Sequence, residues 1–150
     1  MKALSLLQPW ASLVSTGAKR YETRGWRTAY RGPLAIQASA RMTAHCRARM
    51  SIGFWAYCAG IQRGRWQDLP LGAVLATCTL VDCLRTDEVR PGEPECFFGD
   101  FTPGRWAWLL RDVRRLPEPI PAKGALGLWE WDGLGARGAP PPSPGEGGTS

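Results

Sequence analysis

The segment Gly17–Trp26, GAKRYETRGW, concentrates polar groups where a helix ends and a strand begins. Side chains alternate along a strand with a period of two, so Glu22, Arg24 and Trp26 are expected on one face, with Lys19 just before them at the mouth of the turn. A carboxylate can accept from a base amino group, a guanidinium can contact phosphate or a base edge, and an indole offers a stacking plane. Together these are the parts of a nucleic-acid site. The same spacing also fits an exposed Lys19–Glu22 ion pair with Trp26 in the core.

Other chemistries lack their parts. His45 is the single histidine, so Ser12, Ser39 and Thr43 have no Ser–His arrangement to join, and no GxSxG occurs. The absence of a P-loop, of GxGxxG and of HExxH removes nucleotide-fuelled, dinucleotide and zinc-protease readings. Cys46, Cys58, Cys78, Cys83 and Cys96 cannot all pair, and none of their gaps has the two-residue spacing of a zinc knuckle or redox motif. They read as reduced, mostly buried thiols of a cytoplasmic protein, and no metal or cofactor is expected. Cys78 and Cys83, five apart in a strand, are expected on opposite faces.

The charge is unevenly placed. The whole chain carries 19 Lys+Arg against 13 Asp+Glu, but residues 1–65 hold 11 basic groups and one acid, Glu22, while residues 66–132 have a net charge of −4. A half at +10 suggests an anionic partner such as RNA or single-stranded DNA, with Arg31 and neighbouring arginines adding longer-range attraction. With 16 Arg to 3 Lys, the excess also reads as a solvated basic surface.

The elements that must position these residues follow from length and pattern. At 150 residues, with 44% hydrophobic residues and 8 Trp, the chain is expected to form one domain with a real core. From Gly133 the text becomes GLGARGAPPPSPGEGGTS, which cannot offset its ordering entropy, so the folded unit is set at 1–132 and 133–150 is expected to be a disordered Gly/Pro-rich tail. The longest apolar stretch, Leu71–Val81, is far shorter than the about 20 residues a membrane helix needs. The run before Gln8-Pro9 is too short for a secretory signal.

Ala3–Leu7 reads as a strand, and Pro9 and Gly17 bracket a short helix that buries one face through Trp10, Leu13 and Val14. Arg20–Thr28 and Leu34–Ala38 read as strands expected to pair as neighbours. Residues 41–61 carry a helical stripe, Leu71–Cys83 reads as a central strand, 88–104 as a loop, and Arg105–Arg114 and Leu126–Trp131 as the last strands. Trp106 with Trp108, and Trp129 with Trp131, each point to a single face and are expected in the core. About six strands and two helical segments, without sustained β-α alternation, give an α+β fold built on a small mixed β-barrel.

SLLQPWASLVSTGAKRYETRGWRTAYRGPLAIQAS and GRWAWLLRDVRRLPEPIPAKGALGLWEW resemble the ASCH (activating signal cointegrator homology) family, across residues 4–39 and 104–131. The motifs are QPW, GxKxxExR, RGPLxI and PIPxxGxLGLW, in that order. The resemblance implies a PUA-like barrel with a cleft between the first helix and the barrel, and a nucleic-acid-binding module for RNA, single-stranded DNA or a modified nucleotide. Its cleft residues would be Lys19, Glu22 and Arg24, with Gln8 and Trp10 at the helix entrance. Some ASCH-like proteins are nucleases, or amidohydrolases on 4-acetylcytidine with a Thr three positions after the Lys. Here that position is Glu22, so the enzymatic alternative would rest on Lys19 and Glu22 as acid and base.

Overall fold

The computed structural model describes residues 1–49 and 66–133. Six strands, β1 (Lys2–Leu6), β2 (Tyr21–Arg24), β3 (Gly32–Ala38), β4 (Ala73–Arg85), β5 (Trp106–Pro121) and β6 (Leu128–Glu130), form one sheet in the order β2-β5-β4-β3-β1-β6. Two short helices, α1 (Trp10–Ser15) and α2 (Ala44–Arg49), complete an α+β fold. β1 and β3 run parallel and every other neighbouring pair antiparallel. The sheet curls into a half-barrel of the PUA-like kind.

The curl comes from irregularities in the two long strands. Where Thr77 pairs with Arg114 and Thr79 with Arg111, β5 carries an extra residue, and Asp112 there has φ 53°. Between Leu80 and Asp82 the extra residue is on β4. Such bulges bend a strand and increase its twist. They also change the phase of alternation: Cys78 and Cys83, expected on opposite faces, belong to the same buried cluster because Val81 is the inserted residue. β5 runs on past Arg114, the expected end of this strand, to Pro121. The ladder skips from Arg115 to Ile120, so Pro117 and Pro119 stand where no β4 partner asks for an N–H.

The main core lies between α1 and the concave face, where Leu4, Leu6, Val14, Leu34, Ile36, Leu80, Trp108 and Leu110 pack together with Trp106 against them. A fully buried large apolar side chain of this kind contributes roughly 1.5–3 kcal/mol. Ala3, Ala35, Val74 and Trp131 form a second cluster, with Trp129 packed on it. Both tryptophan pairs therefore point to single faces, as their spacing requires. α1 starts after Pro9 and stops before Gly17, whose φ of +82° suits a residue without Cβ. Cys46, Cys78 and Cys83 are buried free thiols, Cys96 is a half-buried one, and burial pushes the Cys78 thiol up to about 12.

β2 and β3 are not neighbours, contrary to the expectation from their closeness in sequence. β2 forms an edge against β5, while β3 lies between β4 and β1. The linker does not make a tight hairpin turn: the Trp26 carbonyl accepts from the Trp108 indole at 3.3 Å, and Arg27 lies over the Trp106 ring at 5.5 Å. The chain therefore follows β5 before it crosses to β3. Residues 88–104 hold a 3-10 turn at Glu95–Phe97 rather than a bare loop, and Thr86 ties their ends together by donating to the Thr102 carbonyl at 2.8 Å. Most of the helical stripe at 41–61, and the tail beyond 133, lie outside the described residues. Among the described residues no helix is long and apolar enough to cross a membrane.

Candidate functional site

A cavity of about 610 Å3 opens between α1, the end of β2 and the loop after the Glu95–Phe97 turn. Trp10 lines it from α1, Glu22, Thr23 and Arg24 from β2, and Trp26 from the linker; Phe97, Phe98, Gly99 and Asp100 close the far wall. Strand alternation is what brings Glu22 and Arg24 together, and the Arg24 guanidinium sits 3.1 Å from the Glu22 carboxylate. Arg24 also donates to the Ser5 carbonyl at 2.9 Å, which fixes its head at the base of the cavity. Trp26 is 39% exposed and meets Trp108 edge to face at 4.7 Å between centroids. It is anchored to the core without being enclosed by it.

Lys19 lies beneath this cavity, with 1% of its surface exposed. Its ammonium donates to the Tyr21 carbonyl at 2.6 Å and to the Phe98 carbonyl, and stands 3.4 Å from Glu22. It also lies 5.9 Å from the centre of the Trp10 ring. Burial lowers its pKa below the usual lysine value, and the carboxylates of Glu22 and Glu95 pull in the opposite direction. Glu95 performs the matching task on the loop side. Its Oε1 accepts from the backbone N–H groups of Arg20 at 2.6 Å and Tyr21 at 3.0 Å, while Oε2 is buried with no hydrogen-bond partner. Burial raises the Glu95 pKa against the pull of those N–H groups and of the Lys19 charge. Lys19 and Glu95 thus clasp the start of β2 to the loop that forms the far wall.

The model of the ASCH domain matches residues 4–119. This chain belongs to the ASCH family. Activating signal cointegrator 1 of Homo sapiens is 29% identical to it over 136 residues, and the Mus musculus protein of the same name is 27% identical over 136 residues. Each alignment covers 91% of this chain and 23% of the relative, so the ASCH domain described here spans under a quarter of those proteins' length.

Of the residues singled out in sequence, this ASCH domain brings Trp10, Glu22, Arg24 and Trp26 to one cavity. The other three stand elsewhere. Lys19 is the buried clasp. Gln8 is fully buried, with its amide donating to Ser12 Oγ and the Pro70 carbonyl, both at 2.8 Å, and accepting from the Ser12 N–H at 3.0 Å. It lies just before Pro9, the N-cap, and satisfies the Ser12 N–H in the first turn of α1. Arg31 holds its own turn by donating to the Thr28 and Tyr30 carbonyls, and pairs with Asp82 at 3.5 Å. Sequence spacing does not reach the Phe97–Asp100 wall, Glu95, or Arg105, which also lines the cavity. The only signal for that wall is the compact FFGD text at 97–100, inside a stretch the family motifs do not cover. Among the described residues, no three His, Cys, Asp or Glu side chains converge to hold a metal.

Proposed function

We propose that this ASCH domain is a nucleic-acid-binding module that takes a base of RNA or single-stranded DNA, or a modified nucleotide, into the cavity above Glu22 and Arg24. The observation that carries this reading is the lining of the cavity: four aromatic residues, Trp10, Trp26, Phe97 and Phe98, with the guanidiniums of Arg24 and Arg105 and the carboxylates of Glu22 and Asp100. Rings supply stacking, Arg24 supplies a phosphate or base-edge donor, and Glu22 supplies an acceptor for an exocyclic amine. A volume of about 610 Å3 falls within the range of about 300–1,000 Å3 usual for pockets that enclose small ligands. The ASCH family and the basic half of the sequence support the same class of ligand.

Fluorescence anisotropy with labelled RNA and single-stranded DNA tests it. Arg24→Ala should weaken binding to all sequences and flatten the salt dependence, and Trp26→Ala should cost about 1–3 kcal/mol of stacking. Circular dichroism must accompany the second variant, because Trp26 packs on Trp108. No retention of either polymer at low salt would end the proposal.

The enzymatic reading has one observation in its favour. Glu22 lines the cavity 3.4 Å from an ammonium whose pKa is lowered. Against it, the Lys19 ammonium is already engaged by two carbonyls and Glu22, and no hydroxyl stands at position 22. Incubation with 4-acetylcytidine and with labelled RNA should therefore give no turnover at an enzymatic rate. Turnover abolished by Glu22→Gln would reverse the preference.

A further inference from the structure

A second cavity, of about 470 Å3, adjoins the first and shares Ser5, Leu7 and Arg24 with it. Its remaining walls come from Gln37 and Ser39 at the end of β3 and from the loop 122–127. We infer that this cavity is a second nucleotide subsite, so that the domain holds two consecutive nucleotides with Arg24 on the phosphodiester between them. The inference rests on the nucleic-acid reading of the first cavity and extends it.

Three features point to an anionic, partly apolar occupant. The first is charge. Glu22 and Asp100 line the first cavity, but among the described residues no carboxylate lines the second. Lys123 stands exposed on its wall and makes no ion pair among the described residues. A strand with its base on the aromatic side of the first cavity would thus run its phosphates past Arg24 toward Lys123. The second feature is exposed apolar surface. Of six large hydrophobic side chains exposed on the described residues, Leu7, Trp26, Phe97 and Leu126 border one cavity or the other, and Leu126 is 98% exposed. An apolar side chain held in water at a cavity rim is placed to cover the face of a base.

The third feature is that the site is already built. The Gln37 amide donates to the Ala122 carbonyl at 2.9 Å and fixes the start of the loop. Gly124 then packs so closely on Ser5 and Gln37 that a Cβ there would lie 2.5 Å from Gln37 Oε1. Any side chain at 124 would force Ser5 or Gln37 to shift. An occupant therefore meets a preformed wall and need not order it.

Calorimetric titration with mononucleotides and dinucleotides, each phosphorylated at both ends and offered as RNA and as DNA, separates the two subsites. The dinucleotide should bind about tenfold or more tighter, because the second contact becomes intramolecular. Lys123→Ala and Leu126→Ala, both at exposed positions, should each remove most of that advantage and leave mononucleotide affinity within about twofold. Equal affinity for the two lengths, or variants that weaken both lengths alike, would overturn the second subsite and leave the first cavity's reading intact. Failure of both lengths to bind would overturn both.

Discussion

The Lys19 ammonium finds its partners inside the protein, on the Tyr21 and Phe98 carbonyls and the Glu22 carboxylate. Removing it leaves the Tyr21 and Phe98 carbonyls without this donor and Glu22 paired with Arg24 alone. Lys19→Ala should therefore cost about 1–3 kcal/mol, read as a lower urea midpoint. Unchanged stability with lost nucleic-acid affinity would make Lys19 a ligand contact instead. Glu95 gives a pH signature. Its carboxyl faces Lys19 and Arg20, and burial raises its folded pKa above the unfolded value near 4.5. The folded state then holds this proton more tightly. Its contribution to stability is complete below pH 4.5 and is lost as pH rises through the folded pKa. Glu95→Gln, which mimics the neutral form, should flatten the decline of melting temperature from pH 4.5 upward relative to wild type. Equal pH profiles would show that the carboxyl does not titrate in that window. At this scale alternation made Glu22 and Arg24 legible as cavity neighbours. The clasp was not legible, because Phe98 and Glu95 come from 79 and 75 residues beyond their partners, and spacing within one segment carries no such information.

Most elements were readable because their patterns are local: α1 between Pro9 and Gly17, Leu34, Ile36 and Ala38 on one face of β3, and the β4 run. Pairing and phase were not. A bulge is one inserted residue with no signal in a hydrophobic run, yet it put Cys83 in the same cluster as Cys78, and a wider break of the ladder, with residues 116–119 of β5 against Leu75 of β4, let β5 continue through its prolines. The edge position of β2 depends on indole contacts to β5 that only the folded sheet creates. The loop behind the first cavity has its own steric requirement. A Cβ on Gly99 would meet Thr23 Oγ1 at 2.9 Å and the Phe101 ring at 3.2 Å, and Thr23 Oγ1 also accepts from the Asp100 N–H at 2.9 Å. Gly99→Ala should push this wall away from β2, cost about 1–3 kcal/mol of stability, and raise amide exchange at residues 97–100. Protection equal to wild type would show that the wall absorbs the methyl group without moving.

For the whole molecule, we propose that the folded unit ends near residue 132. Trp131 is buried in the second cluster, while the composition beyond it gives no core to join. Thermal melts of the full chain and of residues 1–132 should agree within a few degrees, and a large loss in the shorter form would place part of the core in the tail. The resemblance in sequence located the family because its motifs mark the two ends of the domain, and those ends meet: β1 lies between β3, its parallel partner, and β6, to which it is joined from Lys2↔Glu130 to Leu4↔Leu128. Synthesis is directional, and this pairing is not. While the polypeptide emerges, β1 can find β3 but keeps one open edge until residue 130 has left the ribosome. Until then the nascent domain exposes unpaired backbone groups on its first strand, a template for strands from other chains. Co-translational folding of this domain should therefore stay incomplete through nearly its whole synthesis and finish abruptly. Any truncation upstream of Leu128 should yield an aggregating species rather than a smaller folded one.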